Sequence, residues 1–402
     1  MNTLQIIIIL ALVSMTATVV CYPFILRYAL SHHVVDNPDI RKLHRKPIPT
    51  MGGVAVYAGI LAGCLGMSLL VSGASIRWSI MALTIMLMLG VWDDMKNLSA
   101  VLRLIIQFGI VGFYMVFTGH FINSFYGFFG LQDISPWLAI PLSLVAGVGT
   151  INAINMIDGV DGYSSGYGMM ANVSFAAIFI ALDRSVWSCL AVITASALLP
   201  FFMHNVFGRK SKMFIGDGGT MMLGFMMTIF EFGVLSSNTG ARLEAAGASP
   251  IALALAILCI PIFDTLRVMT ARVVRGSSPF KPDKTHLHHL FIDMGFSHLG
   301  AALFILSLNL AVMVVWLMMW QCGVSNTIQV CVVVFLGVMV TFGFYKLMRW
   351  QQHSGPLGED GKPQGTQFWH AACRLGLWTH KEKGSLWRML QALVDGTSTL
   401  KN

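Results

Sequence analysis

Stretches of about 20 consecutive apolar residues recur along this chain, each long enough to cross a hydrocarbon core of about 30 Å as a helix. Eleven such spans are predicted, near residues 5–28, 53–73, 78–95, 99–119, 136–156, 165–182, 186–204, 218–236, 249–271, 299–320 and 326–347. The runs are continuous rather than alternating, which excludes a β-barrel. Inside lipid every backbone amide must bond within its own segment, so helix is the remaining solution. Composition agrees: 56% of residues are hydrophobic and 11% charged, where soluble domains carry roughly 25% charged residues. No Lys or Arg precedes Arg27 and no small-residue cleavage site stands out, so the first span is read as a retained helix and not a signal peptide. The expected fold is an all-α polytopic membrane bundle over 1–347, with a tail over 348–402.

Charge then sets the orientation. All but three of the 26 Lys and Arg residues fall on the side shared by the odd-numbered loops and the tail, the exceptions being Arg77, Arg184 and Arg242. Basic residues stay on the cytoplasmic side, which predicts a cytoplasmic C-terminus and a periplasmic N-terminus. The net charge of +8 is thereby topological and suits an anionic inner leaflet. Nucleic-acid binding is excluded for want of a basic soluble domain. Seven scattered cysteines form no CxxC pair and read as packing. The tail combines a Gly/Pro-rich linker with a Trp- and Lys/Arg-bearing stretch suited to short interfacial helices, and nothing in it suggests chemistry.

Ionisable residues at a membrane boundary are costly and therefore informative, and here they collect on the cytoplasmic side in five stations. The first loop, DNPDIRKLHRKPIPTMGG over 36–53, sets Arg41 and Lys46 within a cationic run, in a frame that Pro38, Pro47 and Pro49 keep out of helix. The third span ends in WDDMKN over 92–97. Adjacent Asp93 and Asp94 repel each other and point about 100° apart on a helix, so one can face a metal and the other a different partner, with Lys96 as the local counter-charge. In NAINMIDGVDG over 152–162, Asn152, Asn155, Asp158 and Asp161 recur every third position. They read as an oxygen-rich face that suits Mg²⁺ and nucleotide hydroxyls. KMFIGDGGT over 212–220 puts Asp217 among glycines at a helix start, where backbone N–H groups favour an anion, and places Phe214 to offer a ring face to a base. The last loop, RVVRGSSPFKPDKTHLHHLF over 272–291, carries Arg275, His286, His288 and His289. With no cysteine nearby, phosphate and sugar contacts are the better reading than zinc. Asp264 and Arg267 read as a structural ion pair within a span.

A transporter would place its polar residues near the bilayer midplane and often show repeated halves; here they crowd one face and no repeat is visible. That asymmetry points to chemistry between a soluble cytoplasmic substrate and a lipid, with a divalent cation and phosphates as the natural pairing.

In this order, the five motifs resemble those of the polyprenyl-phosphate N-acetylhexosamine-1-phosphate transferases, over about residues 1–347. The RKLHRKPIPTMGG and HLHH versions are similar to the WecA/TagO branch. The resemblance implies a helical bundle of ten or eleven spans that often dimerises, UDP-GlcNAc as donor, undecaprenyl phosphate as acceptor, UMP as by-product and Mg²⁺ or Mn²⁺ as cofactor. The product would start O-antigen, common-antigen or teichoic-acid assembly. It implies catalytic carboxylates at Asp93, Asp94, Asp158 and Asp161, with Asp93 the candidate base, and a metal held by Asp217, Asn155 and Asp94. Phe214, Asp158, Asp161 and Lys46 would meet the uridine side of the donor, and Arg41, Lys96, Arg275, His286, His288 and His289 its phosphates and sugar. A muramoyl-pentapeptide transferase, a lipid-phosphate phosphatase and a transporter are the rival readings.

Overall fold

The computed structural model describes residues 2–38, 46–71, 76–280, 285–354 and 385–396. Its helices are α1 (Thr3–Ser31), α2 (Gly52–Leu70), α3 (Arg77–Lys96), α4 (Ala100–Thr118), α5 (Pro136–Met156), α6 (Tyr163–Ala181), α7 (Ser185–Phe207), α8 (Gly216–Val234), α9 (Ser237–Ala245), α10 (Pro250–Ile257), α11 (Cys259–Val274), α12 (Leu287–Asp293), α13 (His298–Gln321), α14 (Asn326–Val338), α15 (Phe344–Ser354) and α16 (Ser385–Asp395), with a π-turn at Met339–Gly343 joining α14 to α15. Among the described residues, nine helices are long and apolar enough to cross a membrane, or eleven if α8–α9 and α10–α11, bent by 60° and 76°, each count as one span. Two short antiparallel hairpins, β1 (Val35–Asp36) with β2 (Ile48–Pro49) and β3 (Ser124–Phe128) with β4 (Leu131–Asp133), qualify the all-α expectation in the loops.

The axis of the bundle is α8, buried at every residue from Gly218 to Val234. A helix apolar all round belongs inside, and α3, α5 and α2 pack around this one. The outer helices instead turn large apolar side chains outward, among them Leu12 and Val19 of α1, Leu69 of α2 and Leu310 of α13; these are surfaces for lipid tails.

The α10–α11 break has a sequence cause and a structural remedy. Pro261 has no N–H to give to the carbonyl of Ile257. That carbonyl instead accepts from Asn309 Nδ2 at 3.1 Å and Tyr167 OH at 2.6 Å, while Asn309 Oδ1 takes the Ile260 N–H at 2.9 Å. Neighbouring helices thereby satisfy the groups the proline frees, as backbone at membrane depth requires. The predicted single span over 249–271 is therefore a broken one.

The expected Gly/Pro linker of the tail lies outside the described residues. Of the interfacial helices expected beyond it, α16 forms and rests against the end of α7.

Candidate active site

The N-terminus of α8 is where the motifs meet. It begins without a side-chain cap of its own, and its orphan N–H groups take their acceptor from another helix. Asp94, in the last turn of α3, accepts from the N–H of Asp217 at 3.0 Å and of Gly218 at 3.2 Å. A carboxylate at a helix N-terminus satisfies orphan donors and the positive end of the dipole together. Asp217 is held from the other side by Asn155 in the last turn of α5. Asn155 Nδ2 donates to Asp217 Oδ1 at 2.9 Å and to Thr220 Oγ1 at 2.8 Å. Three predicted residues from three segments thus converge on one helix start.

Asp93 diverges from Asp94 as the helical angle requires. It is buried, accepts the Leu98 N–H at 2.7 Å and pairs with Arg103 Nη1 at 2.5 Å, which seats the start of α4. Arg103, and not Lys96, is its counter-charge; Lys96 is exposed at the end of α3. Electrostatically Asp93, Asp94, Arg103 and Asp217 form one group.

The carboxamide–carboxylate ladder does not lie on one helix face. Helix α5 ends at Met156, so only Asn152 and Asn155 are helical. Asn152 turns to α4, donating to Gln107 Oε1 at 2.7 Å. Asp158 and Asp161 lie in the turns between α5 and α6. Asp158 accepts from Ser164 Oγ at 2.6 Å. Its side chain is exposed to solvent, with protein packed close around it. That crowding, with the charges of Asp217 and Asp161 adding to it, pushes its carboxyl up to about 7 against the lowering effect of the Ser164 hydroxyl. Asp161 joins two further segments: Lys212 Nζ at 2.5 Å and His298 Nδ1 at 2.9 Å. Its surroundings would raise its carboxyl, but His298 and Lys212 outweigh them and hold it below the usual range.

The first loop is stitched to the fourth station through backbone. Phe214 N–H donates to Pro49 O at 2.7 Å, Gly52 N–H to Phe214 O at 2.9 Å and Gly53 N–H to Ile215 O at 2.8 Å. Helices α2 and α8 touch at Gly53 and Gly219, where a Cβ on either would overlap the other's backbone; this is why the GG and GDGG motifs need glycine. Lys212 stands 5.8 Å from the Phe214 ring centroid, a cation over one aromatic face.

The histidine loop packs beneath the α5–α6 turns. His286 Nδ1 bonds Asp264 Oδ2 at 2.9 Å, and Asp264 also takes Arg267 Nη2 at 2.6 Å, so the predicted ion pair exists and anchors a histidine too. His288 lies between His286 and His289, stacked on the first at a centroid distance of 5.7 Å and tilted by 46° against the second at 4.3 Å. Its imidazole fills the space a Cβ on Gly159 would need. Burial, helped by its two neighbouring histidines, holds it well below the usual histidine range, hence neutral. Lys46 is exposed, Arg275 is exposed with its Nε on Ala271 O at 2.9 Å, and Arg41 lies outside the described residues.

Sequence reasoning passed over Arg103, Ser164, Thr220 and His298, and counted Lys212 only as a topological charge. His298, an ionisable residue at the start of a span, carried a usable signal; the hydroxyl residues carried none.

Among the described residues no three His, Cys, Asp or Glu side chains are grouped to hold a metal by themselves. The donors at the α8 terminus are the Asp217 carboxylate and the Asn155 amide oxygen, with Asp94 committed to backbone N–H groups behind them. A sparse, all-oxygen set fits a hard cation such as Mg²⁺, which keeps waters and phosphate oxygens in its other positions.

The family described as glycosyl transferase family 4 matches residues 76–234. A probable undecaprenyl-phosphate N-acetylglucosaminyl 1-phosphate transferase of Bacillus subtilis (strain 168) is 29% identical over 342 residues, covering 84% of this chain and 88% of its own length. The undecaprenyl-phosphate alpha-N-acetylglucosaminyl 1-phosphate transferase of Escherichia coli (strain K12) is 34% identical over 274 residues, covering 66% and 70%. A decaprenyl-phosphate N-acetylglucosaminephosphotransferase of Mycolicibacterium smegmatis is 31% identical over 321 residues, covering 74% and 78%.

Proposed function

This chain belongs to the polyprenyl-phosphate N-acetylglucosamine-1-phosphate transferases, within glycosyl transferase family 4, and on that premise we propose that it moves GlcNAc-1-phosphate from UDP-GlcNAc to undecaprenyl phosphate. The observation that carries this reading is the meeting of Asp94, Asn155 and Asp217, from three separate motifs, at one helix N-terminus.

In the proposed reaction an oxygen of the lipid phosphate attacks the sugar-bearing phosphorus of the donor. The bond between the two phosphoryl groups breaks, UMP leaves, and the product is a lipid diphosphate carrying GlcNAc. A phosphate monoester has a second pKa of about 6, so the attacking oxygen is mostly deprotonated at pH 7. Asp93, spent on Arg103 and the Leu98 N–H, then positions the α3–α4 corner and need not act as a base. A cation, Mg²⁺ or Mn²⁺, would be held by Asp217 and Asn155 and would supply charge neutralisation to the diphosphate. Phe214 offers uracil an aromatic ring beside Lys212. Asp158 and Asp161 meet the nucleoside. His289 meets the sugar, with the buried His286 and His288 packed behind it, and Arg41, Lys46, Lys96 and Arg275 attract phosphates from the rim.

Basic residues concentrate on the side where these groups lie, which supports a cytoplasmic site in a bacterial inner membrane, with a cytoplasmic tail and an external N-terminus. The product then feeds assembly of a cell-envelope polysaccharide. The test is direct: purified chain, radiolabelled UDP-GlcNAc and undecaprenyl phosphate should yield labelled lipid and UMP in equal amounts. Release of UDP, or labelling only with a muramoyl-peptide donor, would reject the reading.

A further inference from the structure

The tail suggests no chemistry in the sequence, yet its helix reaches the loop that carries Lys212 and Phe214 and leads into α8 at Asp217. Helix α16 packs on the end of α7, with Trp387 against Phe207 at a centroid distance of 4.9 Å. Its last residue, Asp395, receives the backbone N–H groups of Arg209, Lys210 and Ser211, each at 3.1 Å, and the Ser211 hydroxyl at 2.9 Å. Successive N–H groups converging on one carboxylate form an anion nest.

Two features make this contact more than surface packing. A carboxylate at the C-terminus of its own helix meets the negative end of the dipole, and α16 has no basic residue in its last turn to offset it. Partial burial would raise the Asp395 carboxyl, but the bonds from Ser211, Arg209 and Lys210 together outweigh it and hold the group below the usual range. Ser211 is also the loop's pivot. Its carbonyl accepts from Tyr22 OH at 2.7 Å, and its hydroxyl lies 3.0 Å from His204 Nδ1, on a ring stacked against Tyr22. One residue later Lys212 reaches Asp161, and two residues beyond that Phe214 bonds Pro49.

We propose that Asp395 is a positioning residue for the transfer reaction: it fixes residues 209–211 from the tail and thereby sets Lys212 and Phe214 where the nucleotide end of the donor binds. The proposal rests on the functional reading above for its substrate, but the clamp itself is testable without catalysis.

The test uses the full-length chain in lipid nanodiscs, as wild type, Asp395→Ala and Asp395→Asn, with two measurements. Hydrogen exchange followed by mass spectrometry reads the amides of residues 209–211. They are expected to exchange about tenfold faster or more in Asp395→Ala, as loss of charge-assisted hydrogen bonds implies, with Asp395→Asn between it and wild type because an amide oxygen still accepts. Steady-state kinetics reads UMP release with each substrate varied in turn. The donor KM is expected to rise about tenfold in Asp395→Ala, with kcat and the acceptor KM changed less than about twofold. Unchanged exchange at 209–211 overturns the clamp even if transfer is confirmed. Faster exchange with an unchanged donor KM, or a fall in kcat with KM unmoved, overturns the positioning role. If wild type releases no UMP from UDP-GlcNAc, the functional reading fails. The exchange result then still decides the clamp, and direct titration with UDP replaces the kinetic arm, with the same tenfold weakening expected.

Discussion

Asp94 and Asp217 lie 123 positions apart, and the Asp94 Oδ1 atom receives the Asp217 backbone N–H at 3.0 Å. One carboxylate caps the helix that presents the other. The cap sits on the neighbouring helix, so the orientation of Asp217 depends on how α3 and α8 pack. Replacing Asp94 with alanine is expected to cost about 1–2 kcal/mol of stability through the lost cap and to reduce turnover at least about tenfold through the displaced Asp217. Asp94→Asn, which keeps one acceptor oxygen, is expected to fall between. Thermal unfolding in detergent and UMP release measure the two effects; an alanine variant matching wild type in both would remove the cap from the mechanism.

At Gly53 and Gly219 two backbones meet where a single methyl group has no room. Gly53→Ala is expected to destabilise the protein by about 1–3 kcal/mol, as overpacking does. Reduced yield of folded protein and a lower unfolding temperature would show it. A variant as stable as wild type would mean that α2 and α8 stand further apart than described.

The stitching of Phe214 to Pro49, and of Gly52 and Gly53 to Phe214 and Ile215, fixes the backbone that carries the Phe214 ring. Phe214→Ala is therefore expected to raise the donor KM by about 5- to 100-fold, the worth of a lost base–aromatic stack, and to leave the acceptor KM nearly unchanged. Equal effects on both substrates would count against stacking on uracil.

Asp158 supplies a pH test. Its folded-state carboxyl is pushed up to about 7, above the ordinary carboxylate range, chiefly by the protein packed around it. Its contribution to stability is therefore present at low pH and lost as pH rises through 7. Without metal or nucleotide, Asp158→Asn is expected to unfold at a higher temperature than wild type at pH 8, the gap narrowing toward pH 5. A gap independent of pH would show that Asp158 titrates in the ordinary carboxylate range.

Much of this was legible in the chain. The spans followed from continuous apolar runs and the clustering of the polar motifs from their one-sided placement, while the particular set of Asp94, Asn155 and Asp217 came from the family resemblance. Asp93 and Asp94 did part as a 100° step requires. The misreadings share a cause: they concern pairings that no local period encodes. Asn152 reads as a rung beside Asn155 until the partners Gln107 and Asp217 on different helices are seen. Lys96 is nearer than Arg103 in sequence, but α4 turns back to bring Arg103 against Asp93. The break at Leu258 needed Pro261, which was visible, and Asn309 of α13, whose role was not. Likewise, the contact between Asp395 and residues 209–211 joins positions separated by more than 180 residues.

The central claim, that Asp217 and Asn155 hold a divalent cation at the head of α8, is most directly tested by electron paramagnetic resonance of Mn²⁺ titrated into the purified chain with UDP present. The expected result is about one bound Mn²⁺ per wild-type chain, with binding lost in Asp217→Asn while the helical circular dichroism is unchanged and transfer activity is abolished. Equal Mn²⁺ affinity in wild type and Asp217→Asn would contradict it.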